Sequence, residues 1–78
     1  MEALEVVARF DLQGKVTPLL IFLRGQEFKI ESTGRRWKSP QGEHILVITA
    51  DGRAHELLLD MIQGKWFLVR TSSDRYMA

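Results

Sequence analysis

From Leu4 to Phe10 the chain alternates, with Leu4, Val6, Ala8 and Phe10 on one side of an extended backbone and Glu5, Val7, Arg9 and Asp11 on the other. Period two is the pattern of a half-buried strand. The same stretch offers Leu4, Val7 and Ala8 at helical spacing, and Glu and Ala are good helix formers, so a short N-terminal helix is the alternative. After Leu12-Gln13-Gly14-Lys15, the run Val16 to Leu23 ends at Arg24-Gly25, and Gln26 to Thr33 returns with Phe28 and Ile30 set against Glu27, Lys29 and Glu31. This predicts a hairpin whose two-residue turn requires positive φ. Pro18 has no N–H to give a ladder, which places that end of its strand at an edge or a bulge.

Thr33 to Gly42 holds Gly34, Pro40 and Gly42 and shows no period, predicting the longest irregular loop, with Trp37 folded back over one end of the core. Glu43 to Thr49, Arg53 to Asp60 and Lys65 to Arg70 are separated by Asp51-Gly52 and Gln63-Gly64 and predict a three-strand meander. The polar tail 71–78 is expected to fray. Together these elements predict one all-β domain over residues 1–78, a single antiparallel meander of about six strands forming a small barrel or a strongly bent sheet.

The strands carry more apolar surface than one wet-faced sheet needs. Leu19 to Leu23, Ile45 to Ile48, Leu57 to Leu59 and Trp66 to Val69 are apolar at consecutive positions, where an antiparallel strand with one solvated face alternates. If Ile21, Leu23, Phe28, Ile30, Leu57, Leu59, Trp66 and Leu68 point inward, period two sends Leu20, Phe22, Leu58, Phe67 and Val69 the other way. Hiding one such side chain is worth about 1.5 to 3 kcal/mol, so leaving five in water would forgo on the order of 10 kcal/mol, a whole domain's stability. Three coverings are open: the N-terminal segment, closure into a bent barrel, or a second protein molecule. The last makes these five residues a candidate protein interface, with a second copy of the chain or another protein as partner.

Composition narrows the classes. The 78 residues are 45% hydrophobic and 27% charged, with a formal charge of +1, which is not the field of a dedicated duplex binder. There is no cysteine and only two histidines, so neither a disulfide framework nor a metal cluster is expected, and no cofactor is implied. No apolar run reaches the roughly 18 residues that cross a bilayer, and the acidic start Met1-Glu2-Ala3-Leu4-Glu5 is unlike a secretory signal, so a cytoplasmic protein without a membrane partner is expected.

No serine, threonine or cysteine stands beside an evident base in the sequence. His55 and Glu56 are neighbours on a strand and face opposite ways, and His44 opens another strand, so both histidines are expected as surface or satisfied rim residues. No catalytic residues are assigned and a non-enzymatic role is expected. The glycines punctuate hairpins, and none opens a helix after a strand as a phosphate-cradling loop would. One basic stretch with an interleaved aromatic, Arg35-Arg36-Trp37-Lys38, has the composition that tracks a phosphate backbone while stacking a base. It is the candidate nucleic-acid contact, with Lys15, Arg24, Lys29, Arg53 and Arg70 as flanking contacts.

The order Gly14, Pro18, Ile21, Leu23, Gly25, Phe28, Ile30, Trp37, Gly52, Glu56-Leu57, Asp60, Gly64, Trp66, Leu68, Arg70 and Asp74 resembles a small domain family of bacterial proteins. Its pattern ends in G-x-x-[YF]-E-L-x-x-D and G-x-W-x-L-x-R. Ile21, Leu23 and Phe28 stand where that family more often has aromatic residues. The resemblance implies a compact β domain, found alone or appended to proteins resembling Y-family translesion polymerases. It implies an accessory role near DNA repair or replication, with no assigned activity and no functional residues to carry over. Two functions are therefore carried forward: a non-enzymatic module that binds itself or a protein through Leu20, Phe22, Leu58 and Phe67, and a single-stranded nucleic-acid binder working through Arg35, Arg36, Trp37 and Lys38.

Overall fold

In the computed structural model, residues 1–72 are described, and they form six strands with no helix among them. These are β1 (Glu2–Phe10), β2 (Val16–Leu23), β3 (Gln26–Ser39), β4 (Gly42–Thr49), β5 (Ala54–Asp60) and β6 (Lys65–Ser72). Each pairs antiparallel with the next, and β1 pairs with β6 to close the barrel. The first ten residues therefore add a strand to the wall and form no helix over it. β1 splits its allegiance, with Glu2 to Leu4 opposite β6 and Glu5 to Phe10 opposite β2. Such a handover is what strong strand tilt demands when few strands must close.

Of the side chains expected inward, Ile21, Leu57, Leu59, Trp66 and Leu68 are buried, together with Val16, Ile45 and Val47, and Leu23, Phe28 and Ile30 pack against this cluster alongside Leu4, Val6 and Ala8. Pro18 sits beside a bulge, where Leu19 is skipped in the register between Leu20 and Pro18. A bulge frees the ladder from the hydrogen bond that proline lacks. Arg24 adopts φ 53° and Gly25 φ 79°, the paired positive values of the tightest hairpin turn.

The segment from Thr33 to Gly42 is not the irregular loop its sequence predicts. β3 runs through it to Ser39, paired with β4 as far as Ser39 opposite Gly42, and only Pro40 and Gln41 turn. Register shifts between Ile30 and Ser32 and between Thr33 and Arg36 insert unpaired residues, which erase the alternation while keeping the strand. Beyond Leu20 opposite Lys29, β3 leaves β2. The Arg36 guanidinium spans the resulting seam, donating from Nη1 to the Val16 carbonyl at 2.6 Å and standing 3.6 Å from the Glu43 carboxylate.

At the end of the barrel carrying the Asp51-Gly52 turn, Thr49, His55 and Thr71 form a line. The Thr49 hydroxyl donates to the Asp51 carboxylate, its oxygen lies 3.1 Å from His55 Nε2, and His55 Nδ1 lies 3.0 Å from the Thr71 hydroxyl. Both histidines are buried, neither on the surface nor on the rim. Burial pushes the His55 imidazole below its ordinary value of 6.5, opposed by the Asp51 charge and reinforced by Arg53. The unfolded chain thus takes up a proton that the native state resists. Stability is whole above about pH 6.5 and falls as pH drops from there toward the native-state value. Urea midpoints measured between about pH 7 and 5 are expected to decline more steeply for the wild type than for His55→Gln; equal slopes would contradict the assignment.

Candidate functional site

On the outer wall, register places one row of side chains across five strands: Trp37 opposite His44, His44 opposite Leu58, Leu58 opposite Phe67, and Phe67 opposite Ala3. Trp37 lies over His44 as a stacked pair, centroids 5.0 Å apart and planes at 8°. The Arg35 guanidinium also stands over the indole, 5.4 Å from the ring centroid, a favourable cation–aromatic arrangement. Trp37 is thus an outer-wall residue and does not fold over the end of the core.

His44 is flanked diagonally by Ser39 on β3 and Glu56 on β5. Ser39 Oγ lies 2.7 Å from His44 Nε2, and His44 Nδ1 lies 2.9 Å from Glu56 Oε2. The other Glu56 oxygen meets Arg70 Nε at 3.0 Å, the two residues being directly opposite in the ladder. Glu56 and His44 are both buried, and a buried carboxylate persists when its oxygens are matched by donors. Sequence reading set His55 against Glu56 and missed that the partner comes from the next strand.

Beside this network lies an open groove of about 580 Å³, lined by Ser32, Thr33, Gly34, Arg35, Trp37, Leu46, Ile48 and Arg70. Leu46 and Ile48 supply an aliphatic floor, Arg35 and Arg70 supply cationic rims, and no carboxylate lines it. Glu56 is adjacent in the ladder to Leu46, but it is buried and matched by Arg70 and His44, so its charge is not presented to a ligand.

The candidate nucleic-acid run is divided by the strand. Arg35 and Trp37 reach the groove and are joined there by Arg70, whereas Arg36 is spent on the β2–β3 seam and Lys38 is exposed opposite Glu43. The candidate protein interface is divided as well. Leu20 and Phe22 stand half-buried on β2, Leu20 between Val7 and Lys29 and Phe22 between Glu5 and Glu27. Phe67 and Val69 stand half-buried on β6, with Val69 the residue skipped between Leu57–Leu68 and Glu56–Arg70. Leu58 points outward by register but is 1% exposed, held between His44 and Phe67, so it presents no surface to a partner.

Well-exposed apolar side chains gather elsewhere. Because the strands alternate in direction, the β1–β2, β3–β4 and β5–β6 turns share one end of the barrel, and Phe10, Leu12, Met61 and Ile62 are exposed there. No sequence signal marked Leu12, Met61 and Ile62, since single apolar residues in turns read as ordinary surface, and Phe10 continues the row of Leu4, Val6 and Ala8 but ends it in solvent. Among the described residues no cluster of histidine and carboxylate side chains could hold a metal ion, and no helix is long and apolar enough to cross a membrane. No family model, no curated protein and no solved structure matches this chain.

Proposed function

We propose that the protein is a cytoplasmic binding module that takes single-stranded nucleic acid in the groove of its outer wall. The observation that carries this reading is that two guanidiniums flank one indole over an aliphatic floor in a groove lined by no carboxylate. A base stacks on the indole face now under Arg35, whose exposed guanidinium swings to the adjoining phosphate, while Arg70 holds its Glu56 contact through Nε and offers its remaining donors to a second phosphate. With a net charge of +1 the affinity rests on these local contacts and on little long-range attraction.

An oligothymidylate is expected to quench Trp37 fluorescence, and its affinity to fall with salt along a log–log slope of about −1.4, the value for two phosphate contacts on a single strand. Arg35→Ala is expected to halve that slope. No quenching at low salt, or a slope unchanged in Arg35→Ala, would overturn the reading.

Docking of a second copy of the chain is the second reading, favoured by Leu12 and Ile62, which are 107% and 95% exposed at the same barrel end. It places the contact at that end and not on Leu20, Phe22, Leu58 and Phe67. A sedimentation mass of one chain at high concentration removes it.

A further inference from the structure

We infer that Ser39 is a nucleophile activated by His44 and Glu56, so that this barrel forms an acyl-serine with ester substrates. A carboxylate can only accept, so the proton between Glu56 Oε2 and His44 Nδ1, 2.9 Å apart, belongs to the ring nitrogen. In the neutral imidazole that leaves Nε2 with a lone pair, and the Ser39 hydroxyl, 2.7 Å away, donates to it. Serine oxygen, Nε2, Nδ1 and carboxylate therefore stand in the order and polarity by which a histidine removes a serine proton and a carboxylate fixes the tautomer. The arrangement on unrelated folds is recognised by this geometry and not by sequence order.

Three features set this line apart from a network that only fills a wall. The two members behind the hydroxyl are each held by something outside the line: the His44 ring lies flat against Trp37, and the second Glu56 oxygen is tied to Arg70 Nε at 3.0 Å. The hydroxyl sits at the solvent end, half-buried at the last residue of β3, while His44 and Glu56 are buried behind it. The Gln41 backbone N–H, in the turn beyond, donates to Ser39 Oγ at 3.2 Å, which occupies an acceptor site of that oxygen and leaves its own proton for His44 Nε2. These groups lie on paired strands and a two-residue turn, which hold geometry better than long loops do.

The step is acyl transfer. Ser39 Oγ forms a bond to the ester carbonyl carbon as its proton passes to His44 Nε2; the bond from that carbon to the leaving oxygen breaks, and the imidazolium returns the proton to the departing alkoxide. Water repeats the sequence, releasing a carboxylic acid and restoring Ser39. The turn offers a mouth without a deep pocket, so small, activated esters are the substrate class. The inference does not depend on the groove reading, since Ser39 and His44 do not line the groove, and loss of oligonucleotide binding would leave it standing.

The direct probe is a fluorophosphonate, in which Ser39 Oγ bonds to phosphorus, fluoride leaves and His44 takes the serine proton. Incubated with the full chain and mapped by peptide mass spectrometry, it is expected to mark Ser39 and to leave Ser32, Thr33 and Ser72 unmarked. Ser39→Ala is expected to take no label. Glu56→Gln, which keeps shape and hydrogen bonding but lets the ring adopt the other tautomer, is expected to slow labelling at least about 100-fold with the melting curve retained. His44→Gln is expected to slow it as much; should that variant unfold, the wild-type map and Glu56→Gln decide. A folded wild type left unlabelled, a label spread over several hydroxyls, or a Glu56→Gln rate equal to wild type would each overturn the inference.

Discussion

Gly42→Ala is expected to abolish cooperative folding. Gly42 has φ 149°, a region that side-chain-bearing residues rarely enter, and a Cβ built there would stand 2.1 Å from the Leu59 backbone oxygen, 3.0 Å from its carbonyl carbon and 3.2 Å from Asp60 Cα. None of these atoms belongs to a side chain that could rotate away; they are the end of β5, paired with β4 at Glu43 opposite Leu59. The backbone conformation alone costs about 1–3 kcal/mol and overpacking of this kind about 1–3 kcal/mol or more. A 78-residue domain without disulfides has roughly 5 kcal/mol in total. Circular dichroism in a urea series is expected to show no sigmoidal transition, and a midpoint near the wild-type value would contradict the packing described at this corner. The consequence reaches the outer wall, because Gly42 opposite Ser39 begins the register that sets Trp37 against His44.

Leu58→Ala is expected to cost about 2–4 kcal/mol, the penalty of a core truncation. The residue is 1% exposed although its register points it away from the barrel interior. A side chain on an open binding face would change stability by no more than about 0.5 kcal/mol on truncation. Urea midpoints of wild type and Leu58→Ala separate the two cases, and a shift within that smaller range would show that the outer wall is not sealed by its own side chains.

The fold was readable because each hairpin carries its own signal. Arg24-Gly25, Asp51-Gly52 and Gln63-Gly64 mark turns, and inward residues such as Ile21, Leu57 and Leu68 recur at period two. β3 was half-read, since bulges after Ile30 and Thr33 shift the phase and a pattern reading then sees no strand. The second layer of packing was harder. Period two says on which side Leu58 lies but not that Phe67 and His44 close over it, because coverage depends on which strands become neighbours. The Ser39–His44–Glu56 line was hidden for the same reason: residues far apart in sequence meet only when two registers are fixed. A signal was nevertheless present. Taking Pro40-Gln41 as a two-residue turn puts Trp37 opposite His44 and Ser39 diagonal to it, but Glu56 reaches the other diagonal only because Ala50 joins Asp51 and Gly52 in a three-residue loop, one register away from a two-residue reading of Asp51-Gly52.

If single-stranded nucleic acid binds in the outer-wall groove, as proposed, the residues that line it respond together. The most direct test is a heteronuclear NMR titration of the chain with oligothymidylate at low salt, followed residue by residue. Saturable shifts are expected at Thr33, Arg35, the Trp37 indole N–H, Leu46, Ile48 and Arg70, with Leu12, Met61 and Ile62 unmoved. Shifts confined to that barrel end, or no shifts at all, would contradict it.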